Sequence, residues 1–326
     1  MSVALNDLLP SARVVSLPLT TPFRGLLARE AMLFKGPEGW TEFSPFVEYG
    51  DEESAAWLAA AIDFGWTETP SLVRMQIPVN ATLPAVEVGQ VEEVLARFPG
   101  CRTVKIKVAG PGQLLADDEA RVKAARRFVG PDGRIRVDAN GGWNVDEAET
   151  AIHALAQYDL EYVEQPCATV PELDEIRRRV KYMGIPIAAD ESVRKAEDPL
   201  EVARQGAVNI LVIKVQPLGG IRRAGDIIRD AGLPVVISSA LDTSVGLSMG
   251  AYLAASLPEL GFDCGLGTAA LLAADVTDKP LLPMNGKVDV RRIDVSETLL
   301  DRHAASEERT AWWLARLKRC HALLAK

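Results

Sequence analysis

Five stretches decide the fold: TVKIKV (residues 103–108), RIRVDAN (134–140), EYVEQP (161–166), PIAADES (186–192) and NILVIKV (209–215). Each is a short β-rich run with a charged residue at or just after its end: Lys107, Asp138, Glu164, Asp190 and Lys214. The steps between these charges are 31, 26, 26 and 24 residues. One strand, one helix and two loops take roughly 25–30 residues, so the charges recur once per βα unit. Parallel strands in a barrel place their C-terminal ends on one rim, where the active site lies. Three carboxylates flanked by two lysines on that rim read as a divalent-metal site with two candidate acid/base groups.

Outward from these stretches the rhythm continues. Strand candidates fall at 73–79, 103–108, 135–138, 162–164, 187–189, 210–214, 235–238 and 262–264, with helical patterns between most of them. Alternating strands and helices imply a parallel sheet, and eight strands favour closure into a barrel. No GxGxxG follows the first strand, which argues against a dinucleotide site. Asn144 with Glu147 makes a capping box at a helix start. Residues 1–72 do not follow the rhythm and read as a small α+β capping domain: a strand meander, an aromatic- and Gly/Pro-rich loop at 36–49, and an Ala-rich helix at 52–64. Residues 73–282 read as the barrel, and 283–326 as a tail that packs back on the cap.

Composition sets the outer bounds. The chain has 326 residues and a net charge of −9, which argues against nucleic acid as a partner. No basic-then-apolar leader and no apolar run of about 18 residues is present, so a cytoplasmic protein without a membrane partner is expected. The four cysteines, at 101, 167, 264 and 320, form no CxxC or zinc spacing and read as reduced thiols. The oligomeric state stays open, a homo-oligomer included.

The site residues carry specific chemistry. Lys105 and Lys107 lie two apart on a strand and share a face. Adjacent ammonium groups repel, which favours a neutral lysine that can act as a base. Asp138 and Asn140 share a face in the same way. A lysine after NILVI is costly to bury without a purpose. Gly219-Gly220 opens a helix and reads either as a tight turn or as a phosphate cradle. Ser238-Ser239 and Gly265 end the last two strands, where glycine lets a ligand approach the backbone.

Taken together, KIK (105–107), VDAN (137–140), VEQP (163–166), ADES (189–192), IKVQPLGG (213–220) and ISSALDTSVG (237–246) resemble the enolase superfamily, in its muconate-lactonising subgroup. The resemblance covers nearly the whole chain. It implies a modified TIM barrel, (β/α)7β, with an α+β capping domain. It implies Mg²⁺, with Mn²⁺ as a substitute, on Asp138, Glu164 and Asp190, and Lys107 and Lys214 as the acid/base pair. Within the subgroup, the short length, SSALDTSVG and TTPFRG (20–25) look like the o-succinylbenzoate synthase family in its actinobacterial form. That family dehydrates 2-succinyl-6-hydroxy-2,4-cyclohexadiene-1-carboxylate in menaquinone biosynthesis, by syn elimination through an enediolate. Its partner is thus a small-molecule carboxylate. Asn140, Ser238, Ser239 and Gly265 are expected to orient it, with Lys105 and Arg24 as further contacts. Arg24 and Trp40 are placed on cap loops that close the mouth. Racemising relatives tend to carry Arg three positions after the second lysine, where this chain has Pro217. The alternatives are an N-acylamino acid racemase or dipeptide epimerase, a muconate cycloisomerase, and a noncatalytic metal-binding barrel.

Overall fold

A computed structural model describes residues 3–195 and 198–324. The N-terminal segment folds as an antiparallel sheet, β1 (Arg13–Phe23), β2 (Leu26–Gly36) and β3 (Gly39–Phe43), in that order. β1 and β2 meet at a two-residue turn, Arg24-Gly25, with Phe23 paired to Leu26. Both turn residues hold positive φ, 52° and 76°, the pattern of a tight hairpin, and Gly25 is the residue type that adopts it without strain. β3 corrects the sequence reading, which made 36–49 a loop throughout. Its strand hides because Gly36 and Gly39 bracket a short turn, and because Gly36 lies against the backbone of Gly65, where a Cβ would come within 2.1 Å of the carbonyl oxygen.

The helix Asp51–Trp66 and the C-terminal helix Glu307–Leu324 cover this sheet. Trp57, Leu58, Trp313 and Leu317 share one apolar core with Met32, Phe34, Phe43 and Phe46. The tail packs on the N-terminal segment through specific polar contacts as well. Arg309 forks onto Glu30, which also accepts from Trp313 Nε1 at 2.8 Å. Buried Arg316 donates to the carbonyls of Phe46 and Tyr49 and so fixes the loop after β3.

The parallel sheet follows. β4 (Gln76–Pro78) and β5 (Ala81–Leu83) precede β6 (Thr103–Lys107), β7 (Arg134–Asp138), β8 (Leu160–Glu164), β9 (Ile187–Ala189), β10 (Ile210–Lys214) and β11 (Val235–Ser238). β5 to β11 hydrogen-bond in sequence order as seven parallel strands. The ring closes through single parallel bridges, Val79 to Cys264 and Ser238 to Gly265. Two expectations change here. The segment 73–79 is not the first barrel strand: β4 pairs antiparallel with β12 (Lys287–Asp289), and the barrel begins with the short ATL of β5. The stretch at 262–264 contributes bridge residues, not a strand. Both miss for the same reason, since pairing with a segment some 200 residues away leaves no local period.

Strands buried on both faces are the rule in such a sheet. Outward residues join the helices in one large core, while Tyr162, Ala188, Ile210, Val212 and Val236 form an inner cluster. The expected capping box at Asn144 is present, with Glu147 N on Asn144 Oδ1 at 2.9 Å and Asn144 N on Glu147 Oε2 at 2.9 Å. Gly220 starts the helix Ile221–Ala231 as a tight turn. Its N-terminus is taken by Asp63 of the cap, which accepts from Ile221 N at 3.0 Å, so the phosphate-cradle alternative falls.

A second joint fastens cap to barrel. Glu42 of β3 accepts from Thr243 Oγ1 and Gly246 N, and Arg29 of β2 donates to Leu241 O. A Cβ at Gly246 would stand 2.7 Å from Asp242 Cβ and 2.9 Å from Glu42 Cδ, so two carboxyl groups crowd one buried spot. Burial, with Glu42 beside it, pushes Asp242 up to about 7. An acid raised in the folded state adds most stability below its unfolded value of about 4, and that contribution is lost as pH rises through the folded value. The melting temperature of Asp242→Asn relative to wild type should therefore climb by a few degrees between about pH 5 and pH 8. Calorimetry across that range checks it, and a pH-independent difference would show that Asp242 ionises without penalty.

Candidate active site

β6, β7 and β8 lie in register, with Lys107 opposite Asp138 and Asp138 opposite Glu164. That register sets three strand ends side by side and puts their last residues into one cluster. Asp138, Glu164 and Asp190 are fully buried. Lys105 Nζ lies 2.8 Å from Glu164 Oε1 and 3.2 Å from Asp138 Oδ2. Lys107 Nζ lies 2.5 Å from Asp138 Oδ2 and donates to Asn140 Oδ1 at 2.7 Å. From the other side Lys214 Nζ reaches Asp190 Oδ2 at 2.5 Å. The five charges read from the spacing are thus gathered, and Lys105 joins them.

The turns after these strands are tight. Ala109, Asn140 and Gln165 all hold positive φ, a conformation that costs of order 1–3 kcal/mol for a non-glycine residue and clusters at functional sites. Gln165 uses it to lock the next loop, accepting from Asp190 N at 3.0 Å and Ser192 N at 3.2 Å.

The electrostatics divide the two adjacent lysines. Burial opposes the charge on Lys105, but Glu164 and Asp138 outweigh it and hold Lys105 well above the usual lysine range. Lys107 moves the other way, lowered by burial first and then by Lys105, against the pull of Asp138. Repulsion between the pair is therefore real but secondary. Burial also opposes ionisation of the acids. Lys107 and Lys105 overcome it at Asp138, which stays well below the carboxylate range, and Lys214 and Arg194 bring Asp190 to about 2. Glu164 goes up to about 7, through burial and then the charge of Asp138.

Several buried oxygens have no partner: Glu164 Oε2, Asp190 Oδ1 and Glu191 Oε2. Among the described residues no three Asp, Glu, Cys or His side chains stand gathered at metal-holding spacing, because the Lys105 ammonium bridges Asp138 to Glu164 and Lys214 covers Asp190. The donor set is nonetheless carboxylate oxygen only, the set a hard divalent cation takes, and the orphaned oxygens fit such a cation. Asp138, Glu164 and Asp190 could hold it.

A pocket opens above this cluster. The cap supplies Phe23, Arg24 and Phe46; the barrel supplies Lys105, Lys107, Asn140, Glu191, Lys214, Ser238, Ser239, Gly265 and Thr268. All the expected orienting residues line it. Ser239 Oγ already donates to Gly265 O at 2.6 Å. A Cβ at Gly265 would sit 2.4 Å from Ser238 Oγ, so any larger residue there would displace that hydroxyl from the pocket. The free space is about 30 Å³, enough for a water or so, and Asn140 and Arg24 at its edge are exposed. Arg24 stacks over Phe46 at 4.5 Å and reaches the Tyr49 hydroxyl at 3.5 Å. Trp40 departs from expectation: it stands in β3, not on a loop, packs against the core and does not line the pocket. Phe46 does what Trp40 was expected to do.

Sequence reading missed Phe46, Tyr49, Glu191 and Arg194. Arg194 carried a signal, four residues after Asp190 on a short helix and so on its face. The aromatic loop carried only composition, which does not say where it lands.

Residues 14–65 match the enolase N-terminal domain-like family and residues 88–293 the enolase C-terminal domain-like family. The chain is 53% identical to an o-succinylbenzoate synthase from Thermobifida fusca over 96% of both chains. It is 52% identical to one from Mycolicibacterium smegmatis over 98% of both, and 51% identical to one from Mycobacterium ulcerans over 98% of this chain and 96% of that one. Among solved structures, the muconate lactonizing enzyme from Pseudomonas putida superposes with a TM-score of 0.74 at 20% identity, covering 90% of this chain and 98% of that one. A dipeptide epimerase from Enterococcus faecalis gives 0.70 at 23% identity, covering 87% and 97%. These two likenesses show the fold, a modified (β/α)7β barrel under an α+β cap. No helix among the described residues is long and apolar enough to cross a membrane. Fold, domain matches and near-full-length identity agree: the chain belongs to the enolase superfamily and, within it, with the o-succinylbenzoate synthases.

Proposed function

We propose that this chain is a Mg²⁺-dependent o-succinylbenzoate synthase, a hydro-lyase that converts 2-succinyl-6-hydroxy-2,4-cyclohexadiene-1-carboxylate to 2-succinylbenzoate and water for menaquinone synthesis in the cytoplasm. The observation that carries the chemistry is the unequal lysine pair beside three buried carboxylates. Identity of 51–53% to enzymes of that name supports the substrate.

Asp138, Glu164 and Asp190 would hold the metal. A divalent cation there supplies positive charge against the substrate carboxylate and lowers the cost of the negative charge that builds up when the α-proton leaves. Lys107, with its lowered proton affinity, is the base: it takes that proton through Nζ. The electron pair left behind forms a ring double bond as the C–O bond to the hydroxyl breaks. Lys107 then returns its proton to the departing hydroxyl, giving water, so acid and base are one group on one face. Lys214 faces the ring from the other side and adds cationic charge. Lys105 stays charged and offsets the carboxylates. Asn140 steadies Lys107, and Ser238, Ser239 and Gly265 shape the floor. Phe23 and Phe46 exclude water, while Arg24 offers a guanidinium to the succinyl carboxylate. Because the pocket has room for a water or so, substrate must lift the hairpin tip at Arg24-Gly25 to get in.

Lysines on two sides of one carbon also suit proton removal from one face and return to the other. This second reading, an N-acylamino acid racemase or dipeptide epimerase, predicts exchange of the α-proton of N-succinylamino acids or dipeptides in deuterated water. NMR decides: dehydration of the diene carboxylate without such exchange selects the first reading.

Lys107→Ala and Lys214→Ala should each lose about 10²–10⁴-fold in kcat, the range of a positioned acid/base group; near-normal turnover in either removes the two-lysine mechanism. Chelation should abolish turnover, and Mg²⁺ or Mn²⁺ should restore it. Metal affinity should fall about tenfold from pH 8 to pH 6, because Glu164 must give up its proton to bind. Calorimetric titration of metal-free protein at the two pH values measures this, and equal affinities would show that Glu164 does not control binding.

A further inference from the structure

A continuous line of side-chain hydrogen bonds joins the cap loop to Lys107. The Tyr49 hydroxyl, on the loop that Arg316 fixes, accepts from Arg194 Nη1 at 3.1 Å. Arg194 Nη2 donates to Glu191 Oε1 at 2.7 Å. The same oxygen accepts from Asn140 Nδ2 at 3.2 Å, and Asn140 Oδ1 accepts from Lys107 Nζ at 2.7 Å. Arg194 is 3% exposed, and its Nε also stands 3.3 Å from Asp190 Oδ1. Two of its nitrogens thus hydrogen-bond at once, one to the cap and one to the barrel, while the third faces Asp190 as a charge without a hydrogen bond. Only a planar fork does this; a lysine ammonium on a flexible stem cannot reach all three in one geometry. The tip of the β1–β2 hairpin joins the same point, since Arg24 also reaches the Tyr49 hydroxyl.

We propose that Arg194, seated on Tyr49, is a positioning residue that links closure of the cap to the set of Lys107. With the hairpin tip down, Tyr49 holds the guanidinium, the guanidinium holds Glu191, and Glu191 orients the Asn140 amide so that its oxygen faces Lys107. With the hairpin tip lifted, the Tyr49 hydroxyl loses Arg24 and can turn from Arg194, the guanidinium moves toward the carboxylates, Glu191 shifts, and the Asn140 amide is free to rotate away. The base is then aligned only when water is excluded, which suits a reaction that leaves a reactive electron pair on the substrate. This inference rests on the reading of Lys107 as the base.

Tyr49→Phe removes one oxygen and leaves the ring packing; Arg194→Lys keeps the charge and removes the fork. Each should lower kcat about 5- to 20-fold with KM within about twofold, the scale of a small misalignment. The double variant should be no worse than the poorer single, because both cut one line. A second readout needs no substrate. Trypsin cleaves after Arg24, and Arg194→Lys, though on the barrel, should speed cleavage at that tip several-fold, as should Tyr49→Phe. Kinetic losses that multiply in the double variant, or a tryptic rate at Arg24 equal to wild type, would overturn the proposal. Wild-type protein that leaves the diene carboxylate unchanged removes the functional reading instead, and the tryptic rates then decide the linkage by themselves.

Discussion

Three carboxylates buried at neighbouring strand ends are the constraint to which the rest of the structure answers. Left alone, such charges would take up protons or pull the barrel end open, since a buried unpaired ion costs several kcal/mol. The chain answers with ammonium groups from β6 and β10. They are not interchangeable. Lys105 sits between two carboxylates and is held charged, while Lys107, lowered first by burial and then by the cation beside it, gives up its proton more readily. The KIK motif thus separates into one lysine held charged and one with lowered proton affinity, through position alone.

A barrel rim is open by construction, and the second constraint is covering it. The cover comes from both ends of the chain: a three-stranded sheet from the N-terminus, and a helix from the C-terminus that reaches back to Glu30 and to the loop after β3. Buried Arg316 ties that loop to the tail, so the aromatic wall over the pocket depends on residues nearly 270 positions away. The cap is bolted to the barrel twice, by Asp63 at the helix after β10 and by Glu42 at the turn after β11. Between those bolts, the hairpin tip with Arg24 is the part with few ties, and it stands over the mouth.

This division explains what the sequence made legible. Charge spacing gave the parallel strands from β6 to β10 and every residue of the charge cluster except the pairing of Lys105, because one residue per βα unit is a local, periodic signal. The capping box at Asn144 was readable for the same reason. β3 and β5 were not, being short and framed by glycines or without a charged end, and the bridge of Val79 to Cys264 was not, since it exists only through a distant partner. Arg194 lay in plain view within ESVR, yet its part in the site needs Tyr49, and nothing in the aromatic loop says that its phenol lands above a barrel helix.

The fold itself does not select the reaction, since muconate lactonizing enzymes and dipeptide epimerases share it at 20–23% identity. Selection must come from what surrounds the common charges. Behind Lys214 lies a cavity of about 10 Å³, lined by Gln216, Pro217, Asp242 and Gly246. It has room for about one water. The carboxyl pair of Asp242 and Glu42 lies beside it, both raised by burial and Asp242 further by Glu42. Elimination from a single face needs one lysine to carry the proton, whereas racemisation needs both lysines to exchange roles.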